Sequence, residues 1–240
     1  MYCTGDALTD IGMVREENQD AYLIDDKEEL FAVADGMGAM LKGAQASRLA
    51  LECLHEMVQD GKVPEGAGKE EIATSLRAAV SRLSDILMRD LGRNSGTTLI
   101  FVLAKGSDLH IANLGDSRAY LFRDEEIKRL TKDHNVAAML LEAGEISSKD
   151  AMRHPLRNLV TRYLGMEHAV PEIEAIAAEA GDRLLLCTDG LTSEVDDMEI
   201  ARILRGSDRR AALKDLIEAA NKAGGEDNIT ALIIDCPGMT

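Results

Sequence analysis

The chain has 240 residues, 45% of them hydrophobic, which is enough to bury a substantial core. Its 43 Asp and Glu residues outnumber its 27 Lys and Arg residues, and the formal net charge is -16. Because an acidic surface repels phosphate backbones, we expect no nucleic-acid partner. We find no apolar run of membrane-spanning length and no signal-peptide pattern, so we expect a cytoplasmic protein with no membrane partner.

The four cysteines, Cys3, Cys53, Cys187 and Cys236, form no C-x-x-C pair. Their spacing does not indicate a disulfide framework. We therefore expect reduced and mostly buried thiols, as in a reducing compartment.

Short apolar runs occur in pairs joined by tight polar turns. In chain order, the pairs are AYLIDD and LFAVAD, then TTLIFVLA and LHIANL, then SRAYLFR and IKRL. Turns this short predict antiparallel hairpins.

Two helical patterns separate the first hairpin from the second. One runs from about Ala44 to Gln59, with Gly61 as its stop signal, and the other from about Glu70 to Leu91, ended by Gly92. The Gly- and Pro-containing link between them is a loop rather than a domain boundary.

A second helical pair lies near the C-terminus. Asp196 or Asp197 could cap MEIARILRG, Ser207 could cap DRRAALKDLIEAANKAGG, and Gly224 closes that helix. A final strand, ITALIIDC, follows. Paired helices and paired strands indicate layers, with sheets in the middle and helices outside.

The stretch from about Glu142 to Met166 fits neither pattern. It carries Arg153, Arg157 and Arg162 in an otherwise acidic protein. It could be a mobile flap beside a site or a surface excursion with solvated arginines, and the sequence does not separate the two.

Two apolar runs, FAVADGMGAM and RLLLCTDGLT, stop at Asp35 and at Asp189, each followed by Gly. A single Asp-Gly is usually a turn. Two at strand ends can meet at one edge of a sheet, and Asp20 and Asp227 lie just before other strands. Asp116, in the turn LGDSR, is a fifth acid of this kind.

Carboxylates that share an edge repel one another and raise each other's pKa, which a divalent cation relieves. Oxygen ligands without clustered His or Cys favour Mg²⁺ or Mn²⁺ over Zn²⁺. Two such ions sharing a water could orient it for in-line attack. Arg15, five residues before Asp20, can reach the same edge and bind a phosphate.

Several of these motifs occur together, in the same order, in a known protein family. The chain resembles the metal-dependent Ser/Thr protein phosphatases of type 2C, the PPM family, in their compact bacterial form. The match runs from TDIGMVREENQDAYLI through VADGMG, SGTTLI, ANLGDSRAYL, LTKDHN, VTRYLGM and LLLCTDGLT to GGEDNITALII.

The resemblance implies an α+β fold, a four-layer α-β-β-α sandwich of two antiparallel sheets flanked by helix pairs. It implies one phosphatase domain over residues 1–240, with a flap at about 142–168. Two Mn²⁺ or Mg²⁺ ions, with a third held more weakly, would lie at one edge. Their ligands would be Asp20, Asp35, the carbonyl of Gly36, Asp116, Asp189 and Asp227. Arg15 would clamp the phosphate, and it would form the catalytic set with Asp35 and Asp189.

The chain departs from the family at one loop. The usual bacterial DGMGGHxxGExAS reads DGMGAMLKGAQAS, with Ala39, Met40 and Ala44 where Gly, His and Glu are common. Met37 stands where eukaryotic members carry a His thought to be a general acid, which leaves proton delivery to water. No implied metal ligand is replaced.

The resulting hypothesis is a cytoplasmic phosphoserine/phosphothreonine phosphatase in which a metal-bridging hydroxide attacks phosphorus directly. Its partners would be phosphorylated proteins, including a Ser/Thr kinase that it opposes and the targets of that kinase, and we expect a monomer. The alternatives are a phosphoprotein-binding pseudophosphatase, a regulatory phosphatase acting on a phosphorylated anti-sigma antagonist, and a structural metal protein.

Overall fold

The computed structural model describes residues 2–38, 42–61, 63, 66–92, 95–151, 153–206 and 208–236. Ala39, Met40 and Ser207, which carry sequence predictions, lie outside these ranges. No helix within them is long and apolar enough to cross a membrane.

The described residues form eleven strands and seven helices. The strands are β1 (Thr4–Asp10), β2 (Asp20–Asp25), β3 (Leu30–Gly38), β4 (Ser95–Thr97), β5 (Leu99–Lys105), β6 (Asp108–Leu114), β7 (Arg118–Arg123), β8 (Glu126–Arg129), β9 (Glu172–Ala177), β10 (Asp182–Cys187) and β11 (Ile229–Cys236). The helices are α1 (Lys42–Gln59), α2 (Lys69–Leu91), α3 (Val136–Glu142), α4 (Ser148–Ala151), α5 (Asp189–Thr192), α6 (Asp197–Leu204) and α7 (Arg209–Ala223).

The strands form two antiparallel sheets. One has the order β1-β11-β10-β7-β8, and the other has the order β2-β3-β5-β6-β9, with β4 beside β3. The three predicted hairpins are β2–β3, β5–β6 and β7–β8. The predicted α+β sandwich with helices on both outer faces is confirmed.

Alternation along β3 shows why its sequence is continuously apolar. Leu30 and Ala32 pack in the core beneath α1 and α2, whereas Phe31 and Val33 pack between the two sheets. A third core joins α6 and α7 to the other sheet. Because successive side chains point to opposite faces, a strand covered on both faces must be apolar at every position.

The predicted helix ends are largely confirmed. Gly92 ends α2 with a φ of 79°, and Gly224 ends α7. Of the two candidate caps for α6, Asp196 is the one whose side chain accepts from the backbone, at Glu199. The cap of α7 is Asp208 rather than Ser207, because the Asp208 carboxylate accepts the backbone N–H groups of Arg210 and Ala211.

One strand end was predicted wrongly. Strand β3 runs past Asp35 to Gly38, because Gly36–Gly38 pair with the short strand β4. By contrast, β10 ends at Cys187, and Asp189 is the first residue of α5. Three strands, β1, β4 and β9, were not predicted: two are edge strands with mixed polar and apolar residues, and the third has three residues.

The prediction that the cysteines are reduced was wrong for one pair. Cys3 and Cys236 form a disulfide across a sequence separation of 233 residues. The antiparallel pairing of β1 with β11 sets Thr4 opposite Asp235 and thereby brings the two thiols together. Cys53 and Cys187 are free, and Cys187 is buried as expected.

The segment predicted as a flap contains α4 and little other regular structure. Its C-terminal part is tied back to the sandwich by hydrogen bonds from Thr161 N to His134 O and between Leu164 and Thr97 in both directions. That this segment moves as a flap remains a prediction.

Candidate active site

The predicted carboxylates come from four separate parts of the fold. Asp20 begins β2 and lies opposite Asp35 of β3 in the strand register. Asp189 begins α5, Asp227 lies two residues before β11, and Asp116 lies between β6 and β7. The charges of all the other four raise the pKa of Asp35, so the structure brings the five side chains into one electrostatic cluster.

Asp20 is held in a fixed orientation by two threonines. Its Oδ2 accepts hydrogen bonds from Thr188 Oγ1 at 2.9 Å and from Thr230 Oγ1 at 2.7 Å. Burial raises the pKa of Asp20 to about 8, and the two hydroxyls oppose that rise. Its other oxygen, Oδ1, is buried and accepts no hydrogen bond within the described part of the chain.

Asp35 and Asp189 have the same kind of environment. Burial is the largest cause of a pKa well above the usual value for Asp35, and it also raises the pKa of Asp189. The charge of Asp227 adds to the rise at Asp189, and a hydrogen bond with Asp35 opposes it. Asp189 Oδ1 is a second buried oxygen without a hydrogen-bond partner among the described residues.

Asp116 is buried, whereas the side chain of Asp227, the remaining acid of the cluster, is 34% exposed. Burial raises the pKa of Asp116 to about 8, with further contributions from the charges of Asp189 and Asp133. The side chain of Asn135 donates a hydrogen bond to it and opposes the rise. Asn135 also caps α3 by accepting from Ala138 N at 2.9 Å.

Gly36 lies where three backbone segments meet. Its N–H donates to Gln19 O at 3.1 Å. A Cβ at this position would be 2.2 Å from Gly43 O, so glycine is required by space. Backbone atoms therefore line this part of the edge, and no side chain at position 36 covers the Gly36 carbonyl that is expected to bind metal.

The arrangement fits a hard divalent cation. No group of three or more His, Cys, Asp or Glu side chains in the described ranges forms a complete metal site. The two buried carboxylate oxygens that have no hydrogen-bond partner in the described part of the chain are nevertheless acceptors that a cation would satisfy. Mg²⁺ keeps several of its waters and needs only one or two carboxylates from the protein, which matches this incomplete set.

Arg15 lies at the same edge. Its Nη2 is 2.7 Å from Asp227 Oδ2, and its side chain is 55% exposed. Asn228 fixes the loop that carries it, because its amide donates to Ile11 O and Glu17 O and its Oδ1 accepts from Gln19 N, each at 2.9 Å. An exposed ion pair contributes little to stability, so Arg15 can exchange Asp227 for a phosphate at small cost.

Three supporting residues, Thr188, Thr230 and Asn135, were not predicted from the sequence. Thr188 directly precedes Asp189, which is the one local signal for it. Nothing in the sequence links Thr188 with Thr230, 42 residues away, or with Asp20. These contacts depend on the alignment of β2, β10 and β11.

Comparison with known proteins agrees with this geometry. A sequence model of protein phosphatase 2C matches residues 14–232. The chain belongs to the protein phosphatase 2C family. The match covers every predicted ligand and Arg15.

Known phosphatases related to this chain align with nearly all of it. The serine/threonine phosphatase stp of Listeria innocua is 37% identical over 238 residues, which cover 95% of this chain and 93% of the relative. The crystal structure of the Mycobacterium tuberculosis serine/threonine phosphatase PstP/Ppp superposes with a TM-score of 0.87 at 33% identity, covering 99% of this chain and all of that one.

A solved structure that is similar to this chain contains metal. The catalytic domain of PstP in complex with two manganese ions superposes with a TM-score of 0.82 at 32% identity and covers 98% of both chains. Manganese binding is thus shown for a protein that shares the fold of this chain.

Proposed function

We propose that this chain hydrolyses phosphoserine and phosphothreonine in proteins and depends on a divalent metal. The observation that carries the proposal is a pair of buried carboxylate oxygens, Asp20 Oδ1 and Asp189 Oδ1, at the edge that also holds Arg15. Neither oxygen has a hydrogen-bond partner among the described residues. Its relatives named as serine/threonine phosphatases support it.

The ligand set that we propose is the one that the resemblance to the 2C family implies. It comprises Asp20, Asp35, the Gly36 carbonyl, Asp116, Asp189 and Asp227. We propose two Mn²⁺ or Mg²⁺ ions and a third, weaker one that Asp116 and Asp189 would share. When bound, such ions activate a water molecule as the nucleophile and neutralise charge on the phosphoryl group.

The protein's own groups bind and orient the substrate. The Arg15 guanidinium would leave Asp227 and bind two phosphoryl oxygens, which aligns the phosphorus with the carboxylate edge. The same positive charge stabilises the negative charge that develops during transfer. Met37 has no transferable proton, so the leaving serine or threonine oxygen takes its proton from water.

The physiological setting that we propose is cytoplasmic, with a phosphatase that opposes a Ser/Thr kinase and acts on the targets of that kinase as a monomer. We propose one domain over residues 1–240 and a flap over about 142–168. The hydrogen bonds between Leu164 and Thr97 support a flap beside the site, because Thr97 Oγ1 donates to Asp35 O at 2.9 Å. A pseudophosphatase is disfavoured because no proposed ligand is replaced.

The test is hydrolysis of p-nitrophenyl phosphate and of a phosphothreonine peptide in EDTA, Mg²⁺ or Mn²⁺. We expect turnover only with metal, and a loss of about 100-fold or more in Asp189→Asn, because removing one charged stabilising group costs that much. Asp215→Asn, at an exposed position on α7, is the matched control. Full activity in EDTA, or near-wild-type rates for Asp189→Asn with Mn²⁺, would refute the proposed site.

A further inference from the structure

The loop that carries Arg15 exposes large apolar side chains. Ile11, Met13 and Val14 have exposed fractions of 40%, 70% and 65%. Apolar side chains clustered on a surface mark a site of interaction more often than scattered ones do. These three stand within four positions of a chain whose surface is otherwise strongly acidic.

Met13 also lines a groove between this loop, β1 and α7. The groove has a volume of about 400 Å³ and is open to solvent rather than enclosed. Its apolar walls are Leu8, Met13 and Ile217, and the rest of its lining is Lys214, Glu218, Asn221 and Lys222. The groove can therefore contact one large apolar side chain that lies across it.

The groove and the proposed phosphate clamp share one loop. Met13 N donates to Gly225 O at 2.8 Å, and Arg15 contacts Asp227 at 2.7 Å, so the loop runs along the same 225–227 segment from the groove to the clamp. Met13 and Arg15 are two residues apart. An extended peptide advances about 3.3 Å per residue, so residues two to four positions from a bound phosphoresidue lie about 7 to 13 Å from it along the loop.

We infer that this groove, together with the exposed Met13 and Val14, binds a large apolar side chain of the phosphoprotein substrate, two to four residues from the phosphorylated Ser or Thr. The inference rests on the proposed function and adds a sequence preference to it. The substrate segment would lie extended along the loop, with its phosphate on Arg15.

The size of the surface favours a substrate segment over a second copy of this chain. Stable protein interfaces bury about 800 Å² on each partner and use about 20 residues a side. Three exposed apolar residues beside a groove of about 400 Å³ provide much less than that. They suffice to bury one side chain of the substrate. Because the phosphate already binds Arg15 in every substrate, burial of this side chain would distinguish one substrate sequence from another.

The test compares phosphothreonine peptides that differ only at the flanking positions. One set carries Leu at a single position two, three or four residues before or after the phosphothreonine, and the reference peptide carries Gly at all of them. With Mn²⁺ and wild-type protein, we expect kcat/KM for the best Leu peptide to exceed the reference by about tenfold, mainly through KM.

Met13→Ser should lower that ratio to about one or two, since it removes the groove wall that the Leu side chain contacts. Met198→Ser, at an 80% exposed methionine of α6, is the matched control and should leave the ratio unchanged. A fluorescence-anisotropy titration of the labelled Leu and Gly peptides provides a readout independent of turnover and should show the same difference in Kd.

Several results would overturn the inference. Equal rates for all peptides with wild-type protein would refute the docking groove and leave the phosphatase intact. An equal fall for Leu and Gly peptides in Met13→Ser would indicate a disturbed clamp rather than a lost anchor. A wild-type dimer that Met13→Ser converts to monomer would assign the surface to a second copy. Hydrolysis of no peptide and no p-nitrophenyl phosphate would overturn the proposed function itself.

Discussion

Two neutral threonines orient the Asp20 carboxylate and favour its ionised form. Thr230 N donates to Thr188 Oγ1 at 3.0 Å, which directs the Thr188 hydroxyl proton toward Asp20. Both hydroxyls therefore donate to Oδ2, favour the ionised carboxylate and leave Oδ1 available for a cation. Groups that orient a ligand in this way typically change metal affinity by about 10- to 100-fold.

Thr188→Val removes one of these donors at nearly constant volume. We expect Mn²⁺ to bind about tenfold more weakly, because the carboxylate is less favoured in its ionised and oriented form. Isothermal titration calorimetry with Mn²⁺ measures this without any turnover. Thr74→Val is the control, since that exposed hydroxyl donates only to Glu70 O within α2. Unchanged affinity in Thr188→Val would contradict the role.

The raised pKa values make stability without metal depend on pH. Asp20 and Asp116 have pKa values of about 8, against about 4 in the unfolded chain. A carboxyl group with a raised folded-state pKa stabilises the fold most fully below its unfolded pKa, and this contribution is lost as the pH rises toward its folded pKa. Proton release on metal binding reverses the loss.

We therefore expect the Tm of protein in EDTA to fall by about 5 °C or more between about pH 6 and about pH 8.5. Added Mg²⁺ should raise Tm more at the higher pH, and Asp20→Asn should flatten the fall in EDTA. Thermal unfolding followed by circular dichroism provides the measurement. A Tm in EDTA that stays level or rises over this range would contradict the clustering of buried carboxyl groups.

At the scale of elements, the site depends on backbones that approach too closely for a side chain. The start of α5 lies against the segment that enters β11, where a Cβ at Gly190 would be 2.0 Å from Asn228 O. This contact places Asp189 and Asp227 at one edge. Gly36, the glycine of the other Asp-Gly pair, likewise allows a close backbone contact beside Asp35.

Gly190→Ala should destabilise the protein by about 1–3 kcal/mol, because α5 must move away from Asn228 to accept the methyl group. Urea denaturation measures the change. Gly206→Ala is the control, since no described atom lies within 4 Å of a Cβ there and its backbone has no positive φ. Equal denaturation midpoints for the two variants would show that α5 adjusts without cost.

At the scale of the whole molecule, the first strand, β1, pairs with the last strand, β11, at one edge of a sheet. The two strands align over seven residue pairs. The Cys3–Cys236 disulfide covalently joins the ends of this pair. A bond between residues so distant in sequence restricts the unfolded chain strongly, which favours the folded state.

Replacing both cysteines by serine should lower the free energy of unfolding by about 2–4 kcal/mol under non-reducing conditions. Urea denaturation with and without dithiothreitol checks this: the reductant should destabilise the wild type and leave the double variant unchanged. Cys53→Ser, at a free cysteine, serves as the control. A wild type whose midpoint is insensitive to the reductant would contradict a stabilising disulfide.

The sequence by itself determined the hairpins, the long helices and the identity of the acids at the proposed site. Those features are local: tight turns require antiparallel strands, and apolar periodicity marks helices such as α1 and α2. The motif order also determined the family, because Asp35 and Asp189 recur in it with fixed neighbours.

Only the tertiary structure decided what surrounds those acids. The threonines on Asp20, the Arg15–Asp227 pair and the Cys3–Cys236 disulfide all join residues more than 150 positions apart. The extension of β3 past Asp35 likewise depended on β4, 57 or more positions later. Contacts of this kind follow from the register in which strands align, and a strand's own residues do not specify which distant residue will lie opposite them.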